Sequence, residues 1–314
     1  MEPAESPVWK SEGKKAEAAR VLSGILAQSP LGEPSMDALR LAFSRFYRER
    51  VRTPAPDCEK ISANGVPGLL IRAPLTDGNK TVLFFHGGGF TIGSAEDHAD
   101  LCLRLSAAAH APVLSINYRL APEHPFPAAA EDCLAAYRFA LARAGAPGNL
   151  ALAGISAGGT LVLATLVQAR GLDLPLPPAA VCMSPATDLR FPGSSVINNR
   201  KTDWVTQARL DSLRAAYLAG GDPAQPLASP AFADLAGLCP LLVQSGTGEL
   251  LLSDIEAFVE RARSQGVAVR YEPWPYLFHC FQIFSKLLPQ SLAAVESAGA
   301  FLRAALAGNE TLNP

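Results

Sequence analysis

Residues 150–166 read LALAGISAGGTLVLATL. A short apolar run, LALAGI, has the length and content of a buried strand, and GGTLVLATL continues into a helical pattern. Between them stands Gly154-Ile155-Ser156-Ala157-Gly158, a GxSxG pentapeptide. A sharp strand-to-helix turn at that point holds its central residue at strained dihedrals, and the small residues two before and two after let the backbones pass. The Ser156 hydroxyl then stands exposed above a sheet with the helix N-terminus aimed at it, so Ser156 is the candidate nucleophile.

A second glycine cluster lies upstream in TVLFFHGGGFTIGS, residues 81–94, where His86-Gly87-Gly88-Gly89 ends another strand pattern. Acyl transfer through a tetrahedral intermediate needs backbone N–H donors aimed where negative charge develops, and glycines let the chain approach the substrate closely. The spacing is not GxGxxG and no Lys-Ser/Thr follows, which disfavours a phosphate cradle.

Around these two turns, VPGLLIRAP, TVLFFHG, APVLSINY, LALAGI, AAVCMSP, PLLVQSG and AVRYEPW read as strands, most of them separated by helical patterns. That alternation predicts a mainly parallel sheet with helices on both faces. Two further helices are expected before the Pro-rich break RTPAPDC, one over AEAARVLSGILAQ and one over SMDALRLAFSRFYRERV. Residues 188–232 carry a helical patch around Asp203 to Leu218 but no strand pattern. With the N-terminal helices of residues 1–50 they are expected to form a cap over the catalytic domain of residues 51–314.

A chain of 314 residues with 49% hydrophobic and 18% charged residues can bury a large core. The formal net charge of −2 and the absence of a basic run argue against nucleic acid as a partner. Six scattered cysteines form no CxxC pair, which speaks against a zinc site or a short-loop disulfide framework and suits a reducing compartment. The first residues do not resemble a signal peptide and no apolar run reaches membrane-span length, so a cytoplasmic location is the expectation.

HGGG at 86–89, YRLAPEHPFPAA at 118–129 and GISAGG at 154–159 together resemble the bacterial hormone-sensitive lipase group (family IV) of the α/β-hydrolase superfamily. The similarity continues through SPATDL and YEPWPYLFH, so it covers most of the chain from about residue 60. It implies a capped α/β-hydrolase fold of eight mostly parallel strands, one early strand antiparallel, which leaves one strand to be found between residues 50 and 66. It also implies hydrolysis of small-molecule carboxylesters by a Ser-acid-His triad without cofactor, and allows a homodimer through an edge strand or the last helix. By the family motif, Gly88, Gly89 and Ala157 supply the oxyanion-hole donors, and His86 orients the loop. Ile155 replaces the Asp often found before the serine, and GTGELLLSD replaces DPLRD in the acid-bearing segment.

In this fold the triad partners follow the order Ser, acid, His, and of the five histidines only His279 lies late enough to be the base. His98, near a helix start, and His124, in a Pro-braced turn with Glu123, have structural readings. For the acid, Glu249 stands three residues past the expected strand end at Gly246, whereas Asp254 lies deeper. Ser253 and Glu256 have capping-box spacing, which would place Asp254 in the first turn of a helix. Glu249 is therefore favoured, with Asp254 as the alternative and Asp188 and Asp203 as remote ones. Triad chemistry also serves lactones, amides and acetylated metabolites, and a non-catalytic small-molecule receptor is the competing class; retention of His279 argues against that last reading. Trp9, Leu22, Ile25, Phe43 and Trp204 are candidates for an apolar pocket wall that would suit short to medium acyl chains.

Overall fold

A computed structural model describes residues 12–27, 35–50 and 58–308. The Pro-rich break before residue 58 and Trp9 lie outside the described residues. Eight strands form one sheet in the order β1-β2-β4-β3-β5-β6-β7-β8. They are β1 (Cys58–Ala63), β2 (Val66–Ile71), β3 (Thr81–Phe85), β4 (Val113–Ile116), β5 (Leu150–Ile155), β6 (Ala180–Met183), β7 (Leu241–Gly246) and β8 (Val269–Trp274). β2 runs antiparallel to both of its neighbours, and every other pairing is parallel.

The central strands are legible because they are buried along their whole length: every residue of β3, β5, β6 and β7 is buried, which favours apolar sequence, and the polar Gln244 and Ser245 of β7 are hydrogen-bonded. β1 is the strand expected between residues 50 and 66. As an edge strand, CEKISA, it leaves every position but its last exposed or half-exposed, and it has no apolar run. Its signal is the two-residue turn Asn64-Gly65, with φ of 51° and 90°, which closes the β1–β2 hairpin.

Helices α3 (Ala99–Ala109), α4 (Ala128–Ala144), α5 (Ala157–Gly171), α8 (Leu252–Ser264) and α9 (Pro289–Leu306) connect and cover the strands; α3 packs on α9 and α4 on α5. α3 and α9 approach so closely that a Cβ on Gly299 would collide with Ala108. The two N-terminal helices are α1 (Glu12–Leu26) and α2 (Met36–Arg50). Between β6 and β7 the chain forms α6 (Ser195–Asn198), α7 (Gln207–Leu218) and a 3₁₀ turn, with no strand between residues 188 and 232. Arg40 on α2 fastens the N-terminal helices to the body: its guanidinium makes two bonds to the Glu123 carboxylate, at 2.8 and 2.7 Å, and donates to the carbonyls of Thr91 and Ala121. Among the described residues no helix is long and apolar enough to cross a membrane.

Candidate active site

Ser156 sits between β5 and α5 with φ 54° and ψ −122°, a conformation that L-residues rarely adopt. The surrounding glycines are compelled by space. A Cβ on Gly154 would enter the carbonyl of Gly158, and one on Gly158 would enter the carbonyl of Phe85 at the end of β3. The turn is therefore held by three backbone segments in contact, and the hydroxyl is left at the floor of a cavity.

The Ser156 hydroxyl lies 2.8 Å from Nε2 of His279, and Nδ1 of that ring lies 2.8 Å from Oε2 of Glu249. Ser156 can donate to Nε2 when Nδ1–H donates to the carboxylate. His279 follows β8 in a loop, and Glu249 stands three residues beyond β7, wholly buried. The other Glu249 oxygen accepts from the Gly246 N–H at 3.0 Å, so both carboxylate oxygens are engaged. The acid turn is laced to the histidine loop: Thr247 N–H donates to the Trp274 carbonyl and Gly248 N–H to that of Leu277.

Burial by itself makes the His279 ring less basic, while the neighbouring Cys280 sulfur and the Glu249 carboxylate act the other way. The net direction is well above the ordinary imidazole value, as expected for a ring whose cation faces a buried carboxylate.

Gly88 and Gly89 have φ of 125° and 58°, and their N–H groups donate to no backbone carbonyl among the described residues. A Cβ on Gly88 would strike the Ile92 carbonyl, and one on Gly89 the Leu213 side chain. Ala157 opens α5, so its N–H is one of the helix's unpaired donors. All three residues line the cavity with Ser156 and His279.

Two histidines hold this loop from behind. His86 stacks on Tyr118 with ring centroids 4.2 Å apart and donates from Nδ1 to the Gly87 carbonyl. Burial, helped by the nearby His98, pushes its pKa down to about 3, so it is neutral. His98 does more than its position near a helix start implies: its Nε2 accepts from the Gly87 N–H at 3.3 Å and its ring lines the cavity. His124 shares no bond with the site.

The other carboxylates separate clearly. Asp254 lies in the first turn of α8, 6% exposed, and shares no hydrogen bond with His279. One of its oxygens has no hydrogen-bond partner among the described residues; burial, then the neighbouring Asp188, push its pKa up to about 7. The expected capping box is absent: α8 starts at Leu252, and Ser253 exchanges hydrogen bonds with Ser195 instead of capping the helix. Asp188 forms an ion pair with Arg190 at 2.7 Å.

Asp203 is the residue that sequence reasoning undervalued. It does not touch the imidazole ring, yet Oδ1 accepts from the backbone N–H of His279 at 3.1 Å and Oδ2 from that of Leu250 at 2.7 Å. One buried carboxylate thus ties the histidine loop to the acid turn. Burial raises its pKa to about 6, Glu249 adding to the rise and His279 and the N–H donors opposing it. Next to it, the Trp204 indole donates to the His279 carbonyl at 2.7 Å, and Asn199 donates to the carbonyls of Thr247 and Glu249. No local motif marks these partners, because their contacts reach across 47 to 76 residues of chain.

Of the expected apolar wall, Trp204 lines the cavity and Phe43 stacks on it at 6.0 Å without reaching the cavity. Leu22 borders a separate groove and Ile25 belongs to the core. Tyr47 of α2 reaches the cavity instead.

A family model described as the alpha/beta hydrolase fold (Abhydrolase_3) matches residues 82–283. Among curated proteins, an acetyl-hydrolase of Streptomyces hygroscopicus is 41% identical over 267 residues, covering 85% of this chain and 89% of the relative. An esterase of Acinetobacter venetianus is 30% identical over 269 residues, covering 84% and 88%. The crystal structure of an esterase from the bacterial hormone-sensitive lipase family superposes with a TM-score of 0.88 at 40% identity, covering 97% of this chain and all of that one. With the sheet order, the turn at Ser156 and these similarities taken together, the chain belongs to the bacterial hormone-sensitive lipase family of α/β-hydrolases.

Proposed function

We propose that the protein hydrolyses carboxylesters, with Ser156 as nucleophile, His279 as general base and acid, Glu249 as the triad acid, and the N–H groups of Gly88, Gly89 and Ala157 as the oxyanion hole. The observation that carries the reading is the unbroken chain Ser156–His279–Glu249, with both links at 2.8 Å, in a cavity also lined by Gly88 and Gly89, whose N–H groups have no backbone partner among the described residues.

Ser156 Oγ attacks the ester carbonyl carbon as His279 Nε2 takes the hydroxyl proton. The carbonyl oxygen becomes an oxyanion facing the N–H groups of Gly88, Gly89 and Ala157. The bond to the alcohol oxygen breaks, His279 returns the proton to the leaving alkoxide, and an acyl-Ser156 ester remains. Water, losing a proton to His279, attacks that ester; the Ser156–acyl bond breaks, the serine regains its proton, and the carboxylic acid leaves. Glu249 holds the ring in the tautomer with Nδ1 protonated and stabilises the imidazolium.

Residues 1–50 and 188–232 together act as the cap, a role supported by the presence of Tyr47, Trp204 and several α7 side chains around Ser156. The space left among them is about 70 Å³, where a single water needs roughly 10–15 Å³. That favours short acyl groups, as does the similarity to an acetyl-hydrolase. Lactones and acetylated metabolites are cleaved by the same steps. The test is hydrolysis of 4-nitrophenyl acetate, butyrate and octanoate by wild type and Ser156→Ala. Wild type should prefer the two shorter esters and the variant should lose at least 10³-fold in kcat; full activity in Ser156→Ala would rule the mechanism out.

A further inference from the structure

The cavity above Ser156 is largely apolar, yet α7 brings two guanidinium groups to its wall, Arg209 and Arg214. Arg214 is satisfied by Asp211 at 2.9 Å and by the Leu189 carbonyl. Arg209 is not: its Nε and Nη2 are buried and have no hydrogen-bond partner among the described residues. No Asp or Glu lines the cavity. Leu213, four residues further along α7 and so on the same face, is the side chain that presses on Gly89. Arg209 therefore stands about one helical turn, roughly 5–6 Å, from the side chain that touches the glycine loop.

A guanidinium cannot shed its proton in a protein. Burial lowers the pKa of Arg209, and no anion offsets it. A half-buried cation with two of its nitrogens buried and unpartnered weakens the folded state, and an apolar residue at 209 would cover the same wall without that cost. The arrangement makes sense where the ligand brings the counter-charge. In a site poor in water, the planar guanidinium fork then binds an oxyanion through charge-assisted N–H···O bonds.

We propose that Arg209 is a specificity-determining residue that recognises an anionic group on the substrate, so that the preferred substrates are esters carrying a carboxylate or similar oxyanion within a few bonds of the scissile carbonyl. This rests on the reading of the site as an ester hydrolase. A neutral ester leaves Arg209 unpaired, whereas an ester with a carboxylate on its acyl or alcohol side pairs it as the carbonyl reaches Ser156.

The test uses two matched pairs: monoethyl glutarate against ethyl valerate for the acyl side, and 3-acetoxypropionate against propyl acetate for the alcohol side, followed by acid release. In at least one pair the wild type should favour the anionic member at least tenfold in kcat/KM. Arg209→Met should reduce that preference at least tenfold. Arg209→Lys, which keeps the charge without the planar fork, serves if methionine prevents folding and should reduce it at least threefold. A wild type that favours the neutral member of both pairs overturns the proposal, as does a preference that survives either substitution. The two readings fail separately. If wild type hydrolyses ethyl valerate through Ser156, shown by loss in Ser156→Ala, but does not favour carboxylates, only the present inference falls; if it hydrolyses no ester, the ester-hydrolase reading falls first.

Discussion

Replacing Glu249 by Gln alters one atom and removes one charge, and the structure indicates how much that should cost. Both carboxylate oxygens accept: Oε1 from the Gly246 N–H and Oε2 from His279 Nδ1. An amide offers one oxygen and one NH₂, so Gln either faces the Gly246 N–H with a donor or drives the ring to the tautomer with Nδ1 unprotonated, which leaves Nε2 unable to accept the Ser156 proton. In addition, the imidazolium formed in each transition state loses its counter-charge. At about 4 Å and an effective dielectric constant near 20, that attraction is about 4 kcal/mol, and a charge-assisted hydrogen bond contributes about 1.5–3 kcal/mol within it. A loss of roughly 3–5 kcal/mol in transition-state stabilisation corresponds to about 10²–10⁴ in kcat. The acid limb of the pH profile should move as well: the Glu249 carboxylate helps hold the His279 pKa high, so the limb lies above 6.5 in wild type and falls in Glu249→Gln. The control is Asp254→Asn, which should keep kcat within about threefold, because Asp254 shares no hydrogen bond with His279. Its effect should appear in stability. The Asp254 pKa is raised on folding, so the carboxyl does not weaken the fold while it is protonated in both states, and weakens it progressively as pH rises from its unfolded value of about 3.8 through about 7. Asp254→Asn should therefore gain stability on wild type from pH 5 to pH 8, by on the order of 1–2 kcal/mol after allowing for partial solvation, read as a higher thermal midpoint. Initial rates on 4-nitrophenyl butyrate and thermal melts at both pH values check these outcomes. A larger activity loss in Asp254→Asn than in Glu249→Gln would refute the assignment.

Asp203→Asn should lower kcat/KM about 10- to 100-fold and the thermal midpoint by several degrees, since its NH₂ must face the N–H of either His279 or Leu250 and leave a buried donor unsatisfied. Unchanged kinetics in a folded Asp203→Asn would show that the tie between the two loops is dispensable. Gly88→Ala should reduce kcat by about 10²–10³ with little change in KM, because a Cβ at φ 125° strikes the Ile92 carbonyl and shifts a proposed oxyanion donor. A rise in KM alone would assign that loop to ground-state binding.

Much of the architecture could be read from the chain because its constraints are local. Seven strands announced themselves, five of them, β3 to β7, because a strand buried on both faces tolerates little but apolar residues. The eighth, β1, did not, because half of its residues face solvent. The GxSxG turn and the glycine loop were equally plain: where backbone touches backbone, as Gly158 does the Phe85 carbonyl, only glycine fits. The apolar wall was read less well. Leu22 and Ile25 have the same helical spacing that a cavity wall would have, and periodicity marks which face of a helix is buried without telling what it is buried against.

The sequence by itself determined the sheet, the strained serine between strand and helix, and the only histidine late enough to meet it, since each of these follows from periodicity, steric need or chain order. Tertiary structure alone decided which carboxylate faces the His279 ring, that Asp203 ties the two loops beneath it, and that Arg209, with Nε and Nη2 unpartnered among the described residues, shares a cavity with Ser156. Those relations depend on side chains that converge from distant turns, and Glu249 and Asp254, five positions apart, differ only in which way the chain turns after Gly246.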